Sequence, residues 1–146
     1  MAEDAVTQAE TLAGFEERPC QTEHLQVHGW TKQSIPEPNL RVYGADAPAI
    51  REIAAADPEL ANKIHPDLPY IGAEVVWAVR EEMARTVEDV LARRTRALLL
   101  GARPSIAAAP RVAELMAREL GNNGEWTKKA VADYEKVAQG YVLKPD

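Results

Sequence analysis

The chain has 146 residues and a formal net charge of -6, from 17 Lys and Arg against 23 Asp and Glu. That length suits one compact unit with an attached arm and excludes a second large domain, and the acidic balance argues against a sequence-independent grip on nucleic acid, which depends on neutralising phosphates. A single cysteine, Cys20, excludes an internal disulfide and suits a reducing compartment, and no apolar run reaches the roughly 20 residues needed to cross a bilayer.

Residues 1–15 place Ala2, Ala5, Val6, Ala9, Leu12 and Ala13 on one helical face, with Glu3, Asp4, Gln8 and Glu10 elsewhere. The start is acidic, unlike a signal or transit peptide, so a cytoplasmic location is expected. This narrow, alanine-rich stripe needs a broad partner surface. From 16 to 39 the pattern dissolves: Pro19, Pro36 and Pro38 remove amide donors and Gly29 loosens the backbone, which reads as a linker with at most a short extended piece at Leu25 to Val27. Asp46, followed by Ala47 and Pro48, is an expected N-cap, and Ile50, Ile53 and Ala54 form the buried side of the helix it opens. Asp57 and Pro58 repeat the signal ahead of a short helix or turn, which His65, Pro66, Asp67 and Pro69 stop.

Residues 72–100 are the centre of the chain. Val75, Val79 and Met83 recur at steps of four, and Val87, Val90, Leu91 and Leu98 resume helical spacing after a break. At that break Thr86 has the residue type of an N-cap, with Asp89 three positions on, so a helix, a corner and a second helix are expected. The charges Glu74, Arg80, Glu81, Glu82, Glu88, Arg93, Arg94 and Arg96 are assigned to the solvated faces. The alanine-rich 102–109 prolongs the second helix with a kink at Pro104. Pro110 opens a further helix that buries Val112, Leu115, Met116 and Leu120 and stops at Gly121 to Gly124. The last helix sets Trp126, Ala130, Tyr134, Val137, Ala138 and Tyr141 on one face and ends near Gly140. The fold class expected is all-α: an irregular helical bundle built around a helix-corner-helix, with an N-terminal helix and a proline-containing linker.

Three clusters bear on chemistry. Cys20, His24 and His28 are zinc-type ligands, but four-residue spacing converges histidines only on a helix, and an extended stretch holds them more than about 10 Å apart. Glu74, Glu81 and Glu82 are read as solvated or paired charges rather than an acid and base set. Arg93, Arg94 and Arg96 suit an anion, but lack a glycine-rich backbone cradle; pairing with glutamates of the neighbouring helix, or a reach to another domain, is the preferred reading. His65, before a proline in a turn, is expected to be partly buried. No G-x-G-x-x-G fingerprint, P-loop or serine, histidine and aspartate set is present.

The words GAEV, WAVREEMA and TVEDVLARRTRALLL, continued by PRVAELMAREL at 110–120 and preceded by RVYG at 41–44 and MAEDAV at 1–6, resemble the C-terminal helical domain of FAD-dependent glycerol-3-phosphate dehydrogenases and alpha-glycerophosphate oxidases. Gly101 and Pro104 depart from a family pattern that is more helix-friendly there. The resemblance implies that residues 1–18 are a helix belonging to an upstream FAD domain, that 19–39 are a linker and that 40–146 are the C-terminal helical domain. It also implies a parent that oxidises glycerol 3-phosphate to dihydroxyacetone phosphate through FAD and passes electrons to quinone. The flavin- and substrate-binding residues then lie upstream of Met1, so no catalytic, cofactor-binding or metal residue is assigned here. The partners implied are the FAD and substrate domains of the parent, with self-association as a second role and only peripheral contact with the inner membrane. The alternative is a free-standing helical module that presents the arginine helix to a protein or, as a helix-turn-helix, to DNA.

Overall fold

The computed structural model describes residues 1–16 and 18–143. It is all-helical. Among the described residues the only extended pairing is an isolated antiparallel bridge between Lys63 and Ile71.

Helix α1 (Ala2–Ala13) ends where Gly14 turns left-handed (φ 67°), and none of its residues is buried. The following stretch has no strand at Leu25 to Val27. It is nonetheless anchored at Gly29, whose carbonyl accepts from the Ala45 amide at 2.8 Å. A Cβ on Gly44 would stand 1.8 Å from that carbonyl, and Gly44 itself has φ 53°, so only glycine fits. Gly44 interrupts 3-10 turns over Arg41–Asp46 that run directly into α2 (Ala47–Ala56). Asp46 flanks α2 but makes no side-chain cap; its carboxylate is instead 2.7 Å from His28 Nε2, tying that residue to the start of α2. Asp57 opens a turn rather than a helix, with Oδ1 accepting from the Glu59 amide. His65 is half-buried in the next turn, its Nδ1 accepting from the Asp67 amide.

Helix α3 (Gly72–Arg80) is the centre of the core, buried along nearly its whole length. Its first residue has to be small, because a Cβ on Gly72 would meet Leu60 and Leu115 at 3.1–3.3 Å. The helix stops at Arg80, short of the expected run to residue 85, and Met83 (φ 56°) swings out into solvent. The Thr86 cap forms as expected: the Asp89 amide donates to Thr86 Oγ1 at 3.1 Å, while Asp89 Oδ2 accepts from the Arg85 and Thr86 amides at 3.0 and 2.9 Å. The end of α3 is closed just before this cap, where the Ala84 amide donates back to the Ala78 carbonyl at 2.9 Å around left-handed Met83.

The second helix is not continuous. A wide π-helical segment, Asp89–Arg94, is sealed by Thr95, whose hydroxyl and amide both donate to the Val90 carbonyl. Arg96 then turns left-handed (φ 58°), and short α4 (Ala97–Leu100) leads through Gly101 to α5 (Ala102–Leu120). Neither proline acts as expected. Pro104 lies in the first turn of α5, where a missing amide costs nothing, and Pro110 sits inside that helix instead of opening a new one. Buried Ala108, Ala109, Val112 and Ala113 hold the helix continuous across Pro110 against its neighbours. Gly121 (φ 69°) ends α5, and Asn123 caps α6 (Gly124–Ala138) by accepting from the Trp126 amide. Of the predicted α6 face, Tyr134 and Ala138 are buried, Trp126 and Ala130 are half-buried, and Val137 and Tyr141 are exposed. The chain closes its described part with a 3-10 turn, Gln139–Tyr141.

Helix α5 packs on α6, α3 and α4, and α2 covers the other side of α3. Surface pairs bind these layers: Arg80 grips Glu119 through two nitrogens at 2.6 and 2.9 Å, and Arg111 and Arg118 converge on Glu59 at 2.8 and 2.9 Å.

Candidate functional site

The first amides of α3 have no partner within the helix. Glu74 turns its carboxylate back to accept from the Ile71 amide at 2.8 Å. The same oxygen accepts from Asn39 Nδ2 at 2.7 Å, and the other accepts from the Tyr43 hydroxyl at 3.2 Å. Glu74 is fully buried, so the solvated role expected for it is wrong. Three donors from two segments draw it inward and replace the water it loses. Burial still holds its pKa above the ordinary carboxylate range, against the pull of those donors. The Tyr43 hydroxyl is pushed up by burial and by the neighbouring Glu74 charge. Glu74 thus pins residues 39–43 to the head of α3.

The arginine corner lies beside this hub. Arg93 donates to Asp89 Oδ1 at 2.8 Å and to Glu88 Oε1 at 2.7 Å. Arg94 donates to the Glu82 carbonyl at 2.7 Å, and its Nε faces the solvent-sealed Glu82 Oε2 at 3.5 Å. Burial raises the Glu82 pKa more than Arg94 lowers it. The pairing expected for the cluster is therefore present at Arg94, which reaches Glu82 across the corner, whereas Arg93 pairs with acids of its own segment. Arg96 behaves differently: among the described residues, it and Arg18 are the arginines whose side chains form neither a hydrogen bond nor an ion pair. Glu81 remains exposed.

Between hub and corner opens a cleft of about 610 Å³, walled by Asn39, Tyr43, Tyr70, Arg94, Thr95 and Arg96. Glu74 lies behind Asn39 and Tyr43 and does not line it. The cleft therefore offers an unclaimed guanidinium and aromatic walls, and keeps its buried carboxylate away from any occupant.

Cys20, His24 and His28 are not brought together. Cys20 Sγ lies 3.2 Å from Thr22 Oγ1, which lowers the thiol pKa, and His28 is engaged with Asp46. The described residues contain no group of three or more His, Cys, Asp and Glu arranged to hold a metal.

Asn39, Tyr43 and Gly44 escaped the sequence reading as partners of the centre. The available signal was Glu74, three residues after Ile71 and thus at capping-box spacing.

A family model described as the C-terminal domain of alpha-glycerophosphate oxidase matches residues 5–130. The chain is similar to the glycerol-3-phosphate dehydrogenase of Synechocystis sp., 33% identical over 98 residues that cover 67% of this chain and 18% of that protein. It is also similar to the Mycobacterium leprae glycerol-3-phosphate dehydrogenase (34% identical; 69% of this chain, 17% of that one). A third relative is the mitochondrial glycerol-3-phosphate dehydrogenase of Homo sapiens (28% identical; 95% and 20%). The chain spans about a fifth of the length of these curated relatives. No solved structure matches.

Proposed function

The chain belongs to the family of the C-terminal domain of alpha-glycerophosphate oxidase, and we propose from that membership that it is the structural C-terminal domain of a glycerol-3-phosphate dehydrogenase. In this reading the parent enzyme oxidises the secondary alcohol of glycerol 3-phosphate to the ketone of dihydroxyacetone phosphate, FAD takes up the two electrons, and a quinone receives them. The domain braces the catalytic part and does not turn over substrate alone. The parent works in the cytoplasm, at most peripherally on the inner membrane.

The match over residues 5–130 carries this reading. The use made of the central polar groups supports it: Glu74, Arg93 and Arg94 are all engaged with groups of the same chain. In this reading FAD is held by the rest of the parent enzyme. Gly44 and Gly72 are crowded by the chain's own Gly29, Leu60 and Leu115, so neither offers the open backbone a pyrophosphate needs. The helix-turn-helix alternative draws no support from Arg93 and Arg94, which are spent on Glu82, Glu88 and Asp89.

The test is a graft. The Synechocystis relative, cut back to remove the stretch matched here, should lose bound FAD and glycerol 3-phosphate oxidation, and this chain appended in its place should restore both. Full activity of the truncated relative, or oxidation by the isolated chain with added FAD, overturns the reading.

A further inference from the structure

Four features meet on one face. Arg96 is exposed and unpaired while Arg93 and Arg94 beside it are held by acids. It occupies left-handed backbone at φ 58°, a conformation that costs an arginine free energy and persists at sites where something else is gained. Bordering the same cleft are apolar side chains left in water: Val42 is 82% exposed and Leu100 72%, with Leu99 (64%) next to it in the chain. Val42, Leu100, Tyr70 and Arg96 all border the same cleft of about 610 Å³. A chain of net charge -6 thus presents an apolar patch with an unsatisfied cation at its centre.

We propose that this face is the docking surface for the catalytic part of the enzyme, and that it receives a carboxylate flanked by apolar side chains. The proposal rests on the domain reading and specifies which surface performs it. The chemistry of the face selects the occupant. The unpaired guanidinium calls for an anion in a geometry that a carboxylate satisfies bidentately, and the leucines and valine call for apolar neighbours on the same segment. The relatives also carry about four-fifths of their length outside the stretch matched here, which supplies a covalently attached partner. Arg93 and Arg94, held by their own acids, leave Arg96 as the group that meets the incoming carboxylate.

Hydrogen exchange on the isolated chain and on the Synechocystis graft tests this. Peptides spanning 38–44 and 94–101 should gain protection on grafting. Arg96→Glu should abolish that gain, whereas Arg118→Glu, on a different face, should leave it intact. Arg96→Gly separates the two roles of the residue: relief of the left-handed strain should raise the melting temperature of the isolated chain by about 3 °C, while protection in the graft falls. Equal protection in wild type and Arg96→Glu overturns the surface and leaves the domain reading standing. A graft that restores nothing overturns both. Sedimentation of the isolated chain as a dimer, with the same peptides protected, assigns the face to a second copy and also overturns the proposal.

Discussion

Glu74 shows how much depends on single side chains in this molecule. Glu74→Ala strands the Ile71 amide, Asn39 and Tyr43 and leaves a void, and is expected to cost about 3 to 5 kcal/mol by urea denaturation. Its titration gives a second test. A carboxyl whose folded pKa is raised contributes stability that is present below its unfolded pKa and lost as pH rises through the folded value; Glu74 and Glu82 are of this kind. Glu37, Glu59, Asp89 and Asp133 have lowered pKa values, so their contribution is lost as pH falls through the folded value. Lowering pH through the raised folded pKa values of Glu74 and Glu82 should therefore raise the urea midpoint, and acidification below the ordinary carboxylate range, through the lowered values of the other four, should lower it. Glu74→Gln should flatten the rise, and a midpoint equally pH-dependent in both proteins refutes the assignment. Gly44→Ala places a methyl against the Gly29 carbonyl and should cost about 2 to 3 kcal/mol or more, read as a lowered melting temperature. Stripe counting misplaces Glu74 because it sends every charge to water, while donors from residues 39–43, some 30 positions away, make burial tolerable.

At the scale of elements, the corner at Thr86 is local chemistry and is legible as such. Asp89→Ala removes the acceptor of the Arg85 and Thr86 amides and should cost about 1 to 2 kcal/mol. Burial raises the Asp89 pKa, but those hydrogen bonds outweigh it and bring it below the ordinary range, so the cap should fail only in acid. The path of the chain beyond the corner is not legible in this way: the π-helical segment and the break at Gly101 satisfy packing on α3 and α5 rather than any local preference. Helix α6 makes the same point. Its spacing selects the right helix, but its partner α5 covers only the Tyr134 and Ala138 strip, so Val137 and Tyr141 stay exposed. Trp126→Ala should accordingly cost about 1 to 3 kcal/mol, less than the loss expected of a fully buried indole.

For the whole molecule, the core runs from α2 through α3 to α5 and α6, and α1 adds no buried residue to it. Removal of residues 1–15 should leave the melting temperature of the remainder within about 2 °C, and a larger drop shows α1 to be part of this core. The amino-acid sequence alone determined the all-helical class, the Thr86 cap and the stop at Gly121, because periodicity, capping and turn chemistry act over a few residues, and it determined the family through the words it shares with it. Tertiary structure alone decided that Pro110 lies within a helix, that Glu74 is buried, and that Arg96 is left unpaired while Arg93 and Arg94 are not. Each of those outcomes turns on groups distant in the chain competing for the same donors, acceptors and space, and that competition has no short-range signature.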